Sequence, residues 1–406
     1  MPSNAALREI SRSASFVLVP VVSAVSPLVA LPAIADQYGA AGWSDVAIGL
    51  AAGGTGAVFA ELGWGVIGPQ RVAGDPAGRR TLYSRSLASR LVAVAVIAPL
   101  AALAAAVLAQ TAPVAASLCA VALVLATLTP SWYLVGVNRP ELILLVDSLP
   151  RAVCVLGGAL LVAGGGPLEA YGCGLFIAAV TTVVLAGTVP GLPHWPSGAD
   201  FRASLRVVLD QRVLVAGRAV TVCTTTVPTI LLGLVAPGAV PVYAAVDRPL
   251  RMGLGVATAV PTRLQSWVGA ALESQRSARL RSALLVNVTL GVASAAAVLV
   301  AMPVAVPVLF SGEVIADSAV VGWAAALALL VCCNRGGGLT LVALGEASWI
   351  AIAAVVAAAV ALPSIAFLTP SSGAVGTMAA LVVAEAAAGG VQFARCARRW
   401  PRGGTR

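Results

Sequence analysis

Apolar residues run through this chain in blocks of about 20, each closed by a short polar or arginine-bearing turn. The blocks fall near 14–35, 44–67, 91–109, 114–134, 144–164, 168–189, 213–235, 242–271, 282–310, 316–333, 348–368 and 374–393. Each is long enough, as a helix, to cross a hydrocarbon core of about 30 Å. The pattern therefore predicts an all-α, polytopic membrane protein with twelve transmembrane helices in two six-helix lobes around a central cavity. A longer connection at 190–212 opens with prolines and continues as an amphipathic helical pattern, dividing six blocks from six. The expected organisation is an N-terminal lobe at 1–189, a cytoplasmic linker at 190–212, a C-terminal lobe at 213–393 and a basic cytoplasmic tail at 394–406.

One block departs from its neighbours. The stretch 240–263, VPVYAAVDRPLRMGLGVATAVPTR, reads as a span yet carries Asp247, Arg248, Arg251 and Arg263. One such charge at a bilayer centre costs about 2.5 to 3.5 kcal/mol on insertion scales, so this face is expected to meet protein or water instead of lipid. At 100° per residue the four lie on less than half of the helix circumference, leaving an apolar back.

Composition agrees with the pattern: 59% of residues are hydrophobic, 10% are charged, and the mean hydropathy is +0.97. A soluble globule of this size needs far more polar surface. The net charge of +9 invites a nucleic-acid reading, but the positions of the arginines decide against it. With both termini placed in the cytoplasm, Arg8, Arg12, Arg71, Arg79, Arg80, Arg85, Arg90, Arg139, Arg202, Arg206, Arg212, Arg276, Arg279, Arg281, Arg335, Arg395, Arg398, Arg399, Arg402 and Arg406 fall on inside segments, and none falls on an outside loop. That is the positive-inside asymmetry of a membrane protein. The N-terminal apolar run has basic residues before it but continues into Asp36 without a small-residue cleavage site, so it is read as a first span.

Catalytic chemistry finds little support. The outside loops are short and carry only Asp36, Glu169, Glu313 and Asp317 among acidic residues; no Walker A motif, zinc spacing or nucleophile–base pair appears. Seven scattered cysteines show no CxxC pair and read as small core residues. His194, the single histidine, sits in the linker and reads as a solvated loop residue. Gly49 and Gly53 have the small-xxx-small spacing of close helix packing. Pro20, Pro27 and Pro32, with Pro228, Pro249 and Pro261, predict bent helices.

Three stretches carry a resemblance. The first is 31–73, with Leu31, Pro32, Tyr38, Gly39, Trp43, the Gly63-Trp64-Gly65 triplet, Gly68, Pro69, Val72 and Ala73. The second is Pro130-Ser131-Trp132-Tyr133 to Gly136, followed by Arg151. The third is Val242-Tyr243-Ala244-Ala245 with Asp247-Arg248. Together they resemble the polysaccharide flippases, the O-antigen and capsule repeat-unit branch of the multidrug/oligosaccharidyl-lipid/polysaccharide exporter superfamily. The family's common Gln-Gly after the tryptophan is Tyr133-Leu134-Val135-Gly136 here. The resemblance implies a two-lobed transporter that carries an undecaprenyl-diphosphate-linked oligosaccharide from the cytoplasmic to the outer leaflet by alternating access. It implies no cofactor, no enzyme activity, and glycosyltransferases and a polymerase of the same pathway as partners, alongside membrane lipids and the lipid-linked glycan, in the plasma membrane.

Five arginines remain after topology: Arg151, Arg218, Arg248, Arg251 and Arg263. Guanidinium groups bind diphosphate oxygens through paired, charge-assisted hydrogen bonds. Arg218, Arg248 and Arg251 are the expected cavity residues, with Arg151 next and Asp247 orienting them. The plainer readings are that Arg151 and Arg218 snorkel to the interface, that Asp247 and Arg251 neutralise each other, and that Arg263 anchors the span with Trp267. Glu61 and Glu385 are candidates for proton or ion coupling, or for ion pairs with arginine. The competing functions are a major facilitator transporter, suggested by Asp75-Pro76-Ala77-Gly78-Arg79-Arg80, and a multidrug exporter, which calls for an intramembrane carboxylate.

Overall fold

The computed structural model describes residues 4–189, 195–257, 264, 267–268 and 273–400; His194, Pro261 and Arg263 lie outside the described residues. The described residues are all-helical, without strands. Contacts divide the chain into two compact units, Met1–Val222 and Cys223–Arg406.

In the first unit, α1 (Asn4–Ala60) is a pair of helices joined at Gly39, whose φ of 61° with ψ of −163° only glycine adopts without strain. α2 (Trp64–Gly74), α3 (Arg79–Leu108), α4 (Pro113–Leu125), α5 (Ser131–Gly136), α6 (Pro140–Ile143), α7 (Leu149–Ala163) and α8 (Glu169–Thr188) follow. α9 (Gly198–Asp210) realises the amphipathic pattern of the linker, and α10 (Arg212–Thr225) leads out of the unit. At the start of α9 the Ser197 hydroxyl and amide both donate to Asp200, holding its carboxyl below the usual carboxylate range. α4 is the centre of this unit, packed by α1, α3 and α8.

In the second unit, α11 (Val227–Val235) and α12 (Val240–Ala257) precede three long helices, α13 (Glu273–Leu309), α14 (Ser318–Ala343) and α15 (Ser348–Arg399). α14 packs against both α13 and α15, and α12 lies against all three. α15 also contains a glycine break, Gly373 at φ 51°. Its 52 residues would measure about 78 Å as one straight helix, more than twice a hydrocarbon core.

Twelve spans are expected from the hydropathy pattern. Among the described residues seven helices are long and apolar enough to cross a membrane, and up to nine if each bent pair is one span. The difference has physical causes. α12 carries three charges within 18 residues, and α1 and α15 each run unbroken by hydrogen bonding through a glycine kink. Three expected straight spans are interrupted. The second breaks at Glu61–Gly63, bending by 53°, with Leu62 at φ 60°. The seventh bends by 48° beside Pro228. The fourth passes through a 3-10 turn at Ala126–Leu128. Prolines in the first span do not interrupt it; the only non-helical residue of α1 is Gly39.

The glycine spacing has the packing role expected of it. A Cβ on Gly49 would collide with the backbone of Ala116, and one on Gly53 would sit 2.8 Å from the Ala120 Cα, so both glycines seat α1 against α4. Asp45, fully buried, closes the entry to α4. Its carboxylate accepts from the amides of Gln110 (2.8 Å), Thr111 (2.8 Å) and Ala112 (2.6 Å) and from the Thr111 hydroxyl (2.7 Å).

Two outcomes follow for stability. Gly53→Val forces α1 away from α4 and is expected to cost about 2 kcal/mol or more, as for overpacking. Asp45→Ala removes the acceptor shared by the part-buried donors at the start of α4, expected to cost about 0.5–2 kcal/mol as for a lost N-cap, and Asp45→Asn recovers part of the loss. Both are read from thermal unfolding of the detergent-purified protein, where unchanged transitions would remove these contacts from the stability argument.

Candidate functional site

Residues from the first two of the three stretches that carry the family resemblance converge in the first unit. α2 packs on α5, with Gly68 and Gly136 giving the room: a Cβ on Gly68 would meet the Trp132 ring, and one on Gly136 the Pro69 carbonyl. Trp64, Tyr83, Trp132 and Tyr133 then form one aromatic group, with ring centroids 5.2 to 6.3 Å apart along its contacts. The Trp64 indole donates to Ser89 at 3.1 Å. Over the Trp132 ring, at 5.8 Å, lies the guanidinium of Arg90.

Arg90 is buried within a helix. It falls on an inside segment by hydropathy, yet α3 begins at Arg79, so position 90 is three turns into a helix, and its side chain is fully buried. It donates through Nε to the Ser86 carbonyl (3.3 Å) and through Nη1 to the carbonyls of Thr127 and Thr129, the latter at 3.0 Å. Those carbonyls belong to the broken end of the fourth span, where helix geometry leaves acceptors open.

Three of the five arginines left over from topology are paired with carboxylates. Arg218 meets Glu61 at 2.6 Å, Arg151 meets Asp147 at 2.7 Å, and Arg251 meets Asp247 at 2.7 Å. All three arginine side chains remain 25–32% exposed, so pairing does not seal them off. Glu61 stands at the break between α1 and α2, where the Gly63 amide donates to Gln211 at 2.7 Å.

Asp147 lies in a single π-helical turn, Leu144–Ser148, a local irregularity that functional sites often use. Besides Arg151 it accepts from Ser131 (2.7 Å) and Thr129 (3.0 Å), so the Pro130-Ser131-Trp132-Tyr133 segment contributes a ring to the aromatic group and hydroxyls to this acid.

In the second unit, both Asp247 oxygens accept from Arg251 Nε, at 2.8 and 2.7 Å, and Arg251 Nη2 donates to the Thr224 carbonyl at 2.9 Å. Asp247 is buried and the fully buried Tyr243 lies one turn before it on α12. Arg248 is half-buried. Glu385 accepts from Asn334 at 2.7 Å, and its charge is felt by Arg335, which donates to the Leu254 carbonyl at 2.8 Å. Arg335, expected on an inside segment, is a helical residue of α14.

Asp147, Arg90, Arg335, Asn334 and Gln211 are the polar residues that sequence reasoning missed. For Asp147 the signal was present: DSLPR at 147–151 repeats the Asp-to-Arg spacing and the proline of DRPLR at 247–251. For Gln211, and for the bonds of Arg90 to Thr127 and Thr129, no local signal exists, because the partners lie tens of residues away.

Three solved structures resemble this chain. A multidrug resistance MATE family transporter of the MOP superfamily, in an inward-facing conformation, is 16% identical over 95% of this chain and 97% of its own, with a TM-score of 0.60. The lipid II flippase MurJ, in an inward closed conformation, is 12% identical over 95% of this chain and 87% of its own, with a TM-score of 0.66. A MATE in a bent conformation is 15% identical over 96% and 94%, with a TM-score of 0.50. At these identities the likeness is one of fold, that of multi-pass membrane transporters. No curated protein matches by sequence. The family model described as "Polysaccharide biosynthesis protein" matches residues 12–263, well over half of the chain and the whole of the glycine–aromatic region described above; the chain belongs to that family.

Proposed function

We propose that this chain is a flippase that carries an undecaprenyl-diphosphate-linked oligosaccharide from the cytoplasmic to the outer leaflet of the plasma membrane, by alternating access. The observation that carries the reading is the set of half-exposed arginines on helices too apolar to tolerate them without purpose: Arg151, Arg218, Arg248 and Arg251. Their forks suit a diphosphate, and family membership points to polysaccharide biosynthesis. Twelve spans remain the proposed topology. To the nine that length and composition allow are added α12, the part of α1 before Gly39, and a division of α15 at Gly373. Both termini are placed in the cytoplasm by the arginine asymmetry, with lobes at 1–189 and 213–393 joined through the linker at 190–212.

A second reading has its own support. Asp147, Asp247, Glu61 and Glu385 all lie within helices or at their breaks, which meets the multidrug exporter's need for an intramembrane carboxylate, and two of the structures of like fold are MATE transporters. That exporter would take organic cations, for which an excess of arginine is a poor lining.

The test is export of glycan in cells depleted of the chromosomal copy. Arg248→Ala is expected to abolish it with membrane insertion intact. Arg251→Ala strands the buried Asp247, a loss of about 3–5 kcal/mol for one-sided removal from a buried pair, so protein level must be measured beside export. The double variant Asp247→Asn/Arg251→Gln removes both charges, should restore the level, and should still fail to export. Normal export in Arg248→Ala and in the double variant would overturn the cationic-site reading, and drug resistance conferred by the wild type without any effect on glycan would favour the exporter.

A further inference from the structure

The break at Glu61–Gly63 is surrounded by hydrogen-bond donors that lack acceptors. Among the described residues, Arg90 Nη2, Trp132 Nε1, Gln211 Nε2 and Arg218 Nη1 are buried atoms without a hydrogen-bond partner. Arg90 is fully buried, and Gln211 and Trp132 are 3% and 6% exposed. A buried donor left unmade costs about 1–3 kcal/mol, and more when charged, so several in one neighbourhood call for an explanation.

They do share a neighbourhood. Gln211 holds the Gly63 amide through its oxygen, and that bond fixes the amide so that its nitrogen points away from Gly63. Arg218 holds Glu61 through Nη2, leaving Nη1 over. Arg90 feels the charge of Glu61 and stacks on Trp132, which in turn contacts Trp64, the first residue of α2 beyond the break.

Chemistry narrows what these groups could take. Every nitrogen left over is a donor, which excludes a metal cation and favours an oxyanion. The charged groups are two guanidiniums and one carboxylate, leaving one positive charge, which one phosphate-type group would balance. Arg218 and Glu61 keep side-chain exposures of 29% and 27%, so the ion pair beside these donors is itself reachable from outside.

We propose that Arg90, Gln211 and Arg218, gathered around the broken second span, form an oxyanion site for one phosphate-type group, with Glu61 neutralising the second guanidinium. The site lies wholly within the first unit and does not involve Arg248 or Arg251. Its identification with the headgroup of a lipid-linked glycan rests on the flippase reading above; the anion chemistry itself does not.

The experiment uses the full chain in lipid nanodiscs and two probes, inorganic pyrophosphate and a polyprenyl diphosphate, with binding followed by titration. Wild type is expected to bind, and Arg218→Gln to weaken binding at least tenfold, with Arg202→Gln, at an exposed position of α9, unchanged. Because Arg90 also clips the end of α4, Arg90→Lys is read only with a thermal melt beside it; Arg218→Gln, at a partly exposed position, keeps the test decisive. Binding of soluble pyrophosphate shows that the phosphate group alone suffices, and binding of the polyprenyl compound only shows that the anion arrives on a lipid; either supports the site if Arg218→Gln abolishes it. Absence of binding by both probes, or binding that survives Arg218→Gln and Arg90→Lys but falls in Arg251→Gln, overturns it. Glycan export separates the two proposals: loss of export in Arg248→Ala with pyrophosphate binding unaffected by Arg218→Gln sinks the site and leaves the flippase, whereas lost binding in Arg218→Gln with no glycan export by the wild type leaves the site and sinks the flippase.

Discussion

A charge inside an apolar helix bundle has no water to fall back on, and every polar feature of this protein answers to that constraint. A carboxylate or guanidinium in hydrocarbon keeps its charge only beside a partner supplied by the protein or by a wet cavity. Here the partner is usually another side chain of opposite sign: Asp147 for Arg151, Glu61 for Arg218, Asp247 for Arg251. The pairs are of two kinds. Asp147–Arg151 and Asp247–Arg251 are local, four residues apart on one helical stretch, and would form as soon as that stretch is helical. Glu61–Arg218 joins residues 157 positions apart and requires the whole first unit to be in place.

The same constraint governs the backbone. Broken helices are tolerated in membranes only where something satisfies the carbonyls and amides that the break exposes. Arginine does this repeatedly here. Arg90 serves the end of the fourth span at Thr127 and Thr129, Arg251 the end of α10 at Thr224, Arg335 the carbonyl of Leu254 near the end of α12, and Arg276 that of Ala343 at the end of α14. Positive charge at a helix C-terminus is also favoured by the macrodipole. Gln211 does the converse at Gly63, occupying an amide freed by the break in the second span. A chain with no lysine is suited to the task, since a guanidinium offers five N–H groups in a fixed fork and can serve a carboxylate and a carbonyl together. Arg251 does both at once.

That dual use explains what could be read from sequence. Hydropathy located the helices because apolar length is a local property: the blocks at 91–109, 168–189 and 316–333 fall on α3, α8 and α14, overrunning them by no more than two residues at either end. The Gly49 and Gly53 contact was legible too, because small residues four apart lie on one face of a helix. What hydropathy did not show is what holds an arginine beside an apolar block. Arg90 and Arg335 precede no loop; their helices extend past the apolar block, and the charge is absorbed by carbonyls from other segments. The breaks at Glu61–Gly63 and in the fourth span were equally hidden, since a bend changes no composition. The fivefold set of spare arginines was visible, but of its partners only Asp247, by its spacing from Arg251, and Glu61, as a carboxylate open to an unnamed arginine, could be read.

Pairing changes how a cationic site can work. A carboxylate takes one or two of the five guanidinium N–H groups, so Arg151, Arg218 and Arg251 each retain donors and a quarter to a third of their surface. An anion approaching such an arginine meets a fork already oriented by its carboxylate, so little side-chain freedom is lost on binding. It also meets a group whose charge is already largely balanced, which keeps the attraction moderate. For a carrier this is an advantage, because a site that holds a phosphorylated headgroup too tightly cannot let it go on the other side of the membrane. In the proposed carrier, bare arginines in a dry bundle would be costly when empty and slow to release when filled; arginines held by Asp147, Glu61 and Asp247 would avoid both extremes, and the same carboxylates that stabilise the empty protein would weaken its grip on the cargo.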